Sequence, residues 1–216
     1  MYSHHNPGPR SPGWRTVLLV GIVAVVALHW LGCTPEDRPE PGTEGPAATD
    51  TSALPVQARH QVEVAIRDLD RMRSRLAAGI TAQEEVDEET FARVCRPVGV
   101  RAAEIGRENG WQVRQIAERY RNPANAPDPP AGELIARFEA EPSLDSLWVR
   151  TEVPAEPGWR YLRRITVETT CLHCHGTADE RPAFIKQAYP DDRAHGFTAG
   201  DLRGVYSVLV PDSLHN

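Results

Sequence analysis

From Val62 onward the apolar residues Ile66, Leu69, Met72 and Leu76 recur at intervals of three and four, while Arg67, Asp68, Asp70, Arg71 and Arg75 fall on the opposite face. That period predicts an amphipathic helix over 57–78, ended by Gly79. Thr81-Ala82-Gln83-Glu84 has the form of a capping box for a second helix. In that helix Phe91, Val94, Cys95, Val98, Ala102 and Ile105 share one side, which places Cys95 against the core, and Pro97 predicts a kink just after the cysteine. Beyond Gly110 the period shortens. Segments 111–116, 146–153, 159–169 and 204–210 read as strands, and 133–139 as a short helix. Turn chemistry fills 121–130, where prolines fix φ and Asn122, Asn125 and Asp128 lock the loop by bonding to nearby backbone. No repeat is present. Helices first and then an antiparallel sheet make the fold class α+β.

Upstream the pattern is different. Arg10 and Arg15 precede an uncharged apolar run over 17–31, followed by Gly32-Cys33. A membrane span needs about 20 apolar residues and a signal-peptide core about 7 to 15, so the shorter description fits. Gly32-Cys33 resembles the end of a bacterial lipoprotein signal, with Cys33 as the lipidated residue. Trp30 and Leu31 depart from that motif, so an uncleaved anchor is the alternative. Residues 1–33 are thus expected to be a signal or anchor. Residues 34–56, rich in Pro, Glu, Gly and Thr, form a solvated tether that cannot offset the entropy of ordering. Residues 57–216 are the folded domain, which lies outside the cytoplasm at the periplasmic side of the cell envelope, joined to the membrane through the N-terminal lipid or anchor.

Cys171-Leu172-His173-Cys174-His175-Gly176 carries the chemistry. Two thiols so spaced, with an imidazole after the second, are what c-type haem attachment requires: the thiols add to the vinyl groups of one porphyrin edge and the histidine reaches the iron. A redox Cys-x-x-Cys and half of a zinc site using His173 or His175 compete with this reading, but neither a βαβ context nor a second ligand pair accompanies the motif. Four cysteines leave Cys95 unassigned once Cys33, Cys171 and Cys174 have roles. For the other face of the iron the candidates are Cys95, Met72, His60, His195 and His215. Arg114, Arg119, Arg121, Arg163 and Arg164 are candidate partners for the haem propionates, although most arginines are solvated. Trp111, Trp148 and Trp159 read as core or haem-wall residues. The formal charge of −6 offers no basic field for nucleic acid.

With the Cys95 helix, Gly110-Trp111-Gln112-Val113-Arg114-Gln115, the loop from Arg121 to Asp128, the Cys171 motif, Tyr189-Pro190-Asp191-Asp192, Gly196-Phe197, Gly200-Asp201 and Gly204-Val205-Tyr206-Ser207-Val208 in this order, the chain resembles the bacterial PAS-like c-type haem domains, a family represented by a cyanobacterial protein. The resemblance covers roughly 58–212. It implies a PAS-like antiparallel sheet with added helices, one covalently bound haem c, and axial ligands at His175 and Cys95. Pro129-Pro130 departs from the family pattern. Other members form the sensor end of membrane histidine kinases, whereas no transmitter follows here.

The resulting expectation is a redox-sensing or electron-transfer domain with no catalytic residues, an unknown redox or signalling partner, and a possible homodimer through the first helix. A gas sensor that displaces Cys95, and a haem enzyme with an open distal position, are the alternatives.

Overall fold

Residues 54–81, 85–151 and 157–214 are described in a computed structural model of the chain. The first helix, α1 (Val56–Ala77), buries Ala58, Val62, Ile66 and Leu69 on the face that the apolar period predicts. Leu54, just before it, is 5% exposed and joins the same cluster. The next helix does not begin at Thr81. It is α2 (Glu88–Val94), and its N-cap is Asp87, whose carboxylate accepts from the Thr90 amide at 2.8 Å. A carboxylate at this position satisfies an amide that has no helical partner. Three residues of the expected capping box, 82–84, lie outside the described residues.

The break predicted just after Cys95 falls on it. Cys95 ends α2 and precedes α3 (Arg96–Asn109), in which Pro97 occupies the first turn, where the missing N–H costs nothing. Val98, Ala102 and Ile105 pack inward from α3, as expected, but Cys95 does not: it is exposed rather than set in the core. Cys95 is the junction of two helices, where one hydrogen-bond ladder ends and the next begins, so a stripe that treats them as one helix misplaces it. Gly110 closes α3 in the left-handed region at φ 71.

Four strands, β1 (Gln112–Ile116), β2 (Ser146–Arg150), β3 (Gly158–Thr166) and β4 (Leu202–Pro211), form one antiparallel sheet in the order β1-β4-β3-β2. The α+β class is as read from the sequence. Side chains alternate across the sheet as the strand period demands. Tyr161, Ile165, Tyr206, Val208 and Val210 meet α1 and α3 on one face. Leu162 and Val205 meet Ile135 and Phe138 of α4 (Pro129–Ala140) on the other. Each such buried side chain is worth about 1.5–3 kcal/mol. The fourth helix is longer than the sequence suggested: it begins on Pro129 and Pro130, capped by Asp128, because the first helical turn needs no amide donors.

Between Ile165 and Thr166 the sheet register slips. Ile165 pairs with Gly204 but Thr166 pairs with Leu202, so Arg203 is the extra residue of a β-bulge. Gly204 beside it has φ 152, and a Cβ there would lie 2.5 Å from the Ile116 carbonyl oxygen. Only glycine fits this approach of β4 to β1. After β3 come two short helices, α5 (Leu172–His175) and α6 (Ala183–Ala188). Among the described residues no helix is long and apolar enough to cross a membrane.

Candidate functional site

At the end of the sheet where β1 and β3 finish and β4 begins, a cavity of about 290 Å³ opens beneath the C-terminal end of α1 and the α2–α3 break. Cys95, Cys171, Cys174 and His175 all line it. So do Ala77, Ile80, Phe91, Val94, Val98, Ile116 and Ile165, giving apolar walls, and no Asp or Glu lies among the lining residues. Residues from α1 through β4 therefore meet in one space. The four predicted site residues within the described part converge there; Cys33 lies outside it.

The motif side is held by hydrogen bonds. Cys174 is buried in α5, and the Arg121 guanidinium donates from Nη2 to its carbonyl at 2.8 Å. Arg121 also pairs with Asp192 at 3.3 Å, and Asp192 in turn accepts from Arg181 at 2.8 Å and from the Ala194 amide at 2.8 Å. Burial pushes the Asp192 carboxyl up, but the Ala194 amide and the Arg121 and Arg181 guanidiniums outweigh it and hold the acid below its ordinary range. The His175 Nδ1 lies 2.6 Å from the Ala194 carbonyl, which can only accept, so Nδ1 carries the proton. The 3.4 Å approach of Arg121 Nη2 to the same nitrogen is then a contact and not a second hydrogen bond. Burial, with the charges of Arg203 and Arg121, pushes the imidazole well below its usual range. A neutral ring with Nδ1–H engaged leaves Nε2 with a free lone pair, the arrangement of a metal-ligating histidine. The Phe197 ring stands edge-on to it at 6.1 Å.

Burial raises the Cys174 thiol to about 11, and burial likewise raises Cys95 against the opposing charge of Arg121. Cys95 is exposed, yet its thiol is hemmed in by protein atoms, since the surface it presents is cavity wall and not outer surface. Arg73 approaches the third thiol, with Nη1 4.0 Å from the Cys171 sulfur, and is anchored by Asp70 and Glu168 at 2.9 Å each.

Of the other candidates for an iron ligand, Met72, His60 and His195 do not line the cavity, and His215 lies outside the described residues. Among the described residues no group of three or more His, Cys, Asp or Glu is placed to hold a metal ion. Of the arginines singled out for propionates, Arg121 alone lines the cavity. Arg114 donates to the Ala124 carbonyl, Arg163 pairs with Asp145, Arg164 donates to the Leu144 carbonyl, and Arg119 sits 3.5 Å from the Phe197 ring centre. Sequence reasoning missed Arg73 and Arg203, which do line it, and the Asp192–Ala194 support. Asn122 and Asp128 cap their turns as expected, and Asn122 and Asn125 also reach the cavity wall. Trp111, Trp148 and Trp159 are packed in or against the core and not at the cavity, with the Arg59 guanidinium 5.7 Å from the Trp148 ring centre and 5.1 Å from that of Trp159.

These residues fit a porphyrin: two thiols with the attachment spacing, a neutral imidazole with a free nitrogen, apolar walls for the macrocycle, and three arginines for its carboxylates in a lining that holds no Asp or Glu.

Comparison with known proteins places the chain. No curated protein matches it. The crystal structure of the cyanobacterial heme-protein Tll0287 is similar to it, at 42% sequence identity and a TM-score of 0.66 over 73% of this chain and 97% of that one. A family model, Tll0287-like, matches residues 51–211, taking in α1, the sheet and the Cys171 motif together, and the chain belongs to that family.

Proposed function

We propose that the chain is a mono-haem c domain acting in redox sensing or electron transfer outside the cytoplasm. Cys171 and Cys174 would carry the porphyrin as thioethers, with His175 and Cys95 toward the iron. The observation that carries this reading is the convergence of these four side chains, from α5 and from the α2–α3 break, on one cavity. The relationship to a cyanobacterial haem protein supports the cofactor class. A haem supplies a metal centre that exchanges one electron, and thiolate ligation favours its ferric state. His175 is oriented by Ala194, Cys95 is presented at a helix end, and the apolar walls limit water. The N-terminal run 17–31 and Cys33 support a membrane tether on the outer side, where c-type haem is attached.

Absorption and low-temperature electron paramagnetic resonance of the ferric holoprotein, beside Cys95→Ala, test the assignment. A low-spin thiolate signature in the wild type, lost in the variant, is the expected result. An unchanged spectrum removes Cys95 from the site, and a high-spin wild type contradicts a pair of protein ligands.

A further inference from the structure

Three guanidiniums line the cavity, and they are not equivalent. Arg73 is neutralised from behind by Asp70 and Glu168, and Arg121 by Asp192. Arg203 has no carboxylate within ion-pair distance among the described residues. Its Nη1 donates to the Arg119 carbonyl at 3.0 Å, and its guanidinium carbon lies 5.5 Å from the Phe197 ring centre. A half-buried cation lining an apolar cavity, with the like charge of Arg121 nearby, is an arrangement that an anion completes. The backbone is arranged to keep it there. Arg203 is the extra residue of the β4 bulge, the device by which a sheet re-aims a side chain, and Gly204 at φ 152 permits the close strand approach that the bulge requires.

We propose that Arg203, aimed by the β4 bulge into the cavity and backed by Arg121, is the clamp for a carboxylate of the bound porphyrin. The assignment rests on the haem reading given above. A guanidinium offers a fork of donors that matches a carboxylate, and here no protein acid competes for it within the cavity wall. The clamp would fix the rotation of the macrocycle about its iron, while the Cys171 and Cys174 thioethers fix the vinyl edge. A carboxylate held by Arg203 remains ionised to lower pH than one facing solvent, because its charged form gains a charge-assisted hydrogen bond.

Resonance Raman spectra of the haem-loaded wild type, Arg203→Gln and Arg203→Lys, followed across pH, test this directly. In Arg203→Gln the propionate bending band is expected to fall in frequency. The carboxylate should titrate roughly one to two pH units higher, the size of one charge-assisted hydrogen bond. Arg203→Lys keeps the charge without the fork and should move the band part of the way; it decides the question if the glutamine variant does not accumulate. Neither variant should alter the low-spin ligand signature. Haem-loaded variants with an unmoved band and an unmoved titration overturn the clamp alone. A purified wild type without haem overturns the reading beneath it, so the two failures are distinct.

Discussion

His175 and Cys95 face one cavity from opposite kinds of support. His175 is fixed from several directions: its Nδ1–H on the Ala194 carbonyl, its own carbonyl accepting from the Phe197 amide at 3.1 Å, and the adjoining Cys174 carbonyl tied to Arg121. Cys95 sits at a discontinuity between two helices, held by its backbone amide on the Phe91 carbonyl at 3.0 Å and by Pro97 starting the next turn. This site thus has one pre-organised wall and one presented wall. The histidine's orientation is set by its hydrogen bond to the Ala194 carbonyl and by those that tie down the chain on either side of it. The cysteine's position follows from where one helix stops and another begins. Damage to the first wall should therefore cost fold stability as well as site geometry, whereas changes to the second should alter the site and spare the fold.

The largest effect is expected from Asp192→Ala. Its carboxylate has no exposed surface and serves both Arg121 and Arg181, so truncation leaves two cations without their acid. Breaking such a buried pair costs about 3–5 kcal/mol, read by urea unfolding. A loss below about 1 kcal/mol would show that the Asp192 network is not what holds the motif wall.

Acid should act on the same residue. Because the folded Asp192 carboxyl lies below its ordinary value of 3.8, its stabilisation is fully present above that value and is lost as pH falls through the depressed one. Stability measured from pH 6 downward should decline more gently in Asp192→Asn than in the wild type. Parallel curves would assign the acid sensitivity elsewhere.

Asp128→Ala should have a smaller effect. It removes the cap on the Ala131 amide at 2.8 Å and the partner of Arg160 at 3.1 Å. About 1–2 kcal/mol should be lost in the same unfolding assay, without change at the cavity. Smallest of all, Cys95→Ala should change unfolding stability by no more than about 1 kcal/mol while it alters the haem spectrum, since its side chain fills cavity wall and not core. A loss of several kcal/mol would erase the contrast between the two walls.

The same contrast explains what the sequence could reveal. The α1 stripe and the β3 and β4 alternation are local periodicities, so Val62, Ile66, Leu69, Tyr161 and Val208 could be assigned to the core directly. The Cys171–His175 spacing is local too. Cys95 stands out as a leftover thiol, but the apolar stripe misplaces it because two helices meet at that residue and the stripe treats them as one. Pro129 and Pro130 were taken as loop residues, although prolines are at home in a first helical turn. Arg203 was invisible for a different reason: a bulge is defined by pairing with a strand 36 residues or more away, and no short-range pattern announces it. Asp192 looked like one acid of a turn, and only the fold brings Arg121 to it across 71 positions.

The proposed function rests on covalent attachment of a porphyrin through Cys171 and Cys174, two of the three thiols at this cavity. It is tested most directly by intact-mass measurement of the denatured chain, with Cys171→Ala/Cys174→Ala beside it. The wild type should retain the added mass of one haem after denaturation, and the double variant should retain none. A wild-type chain that shows only its polypeptide mass would contradict the account.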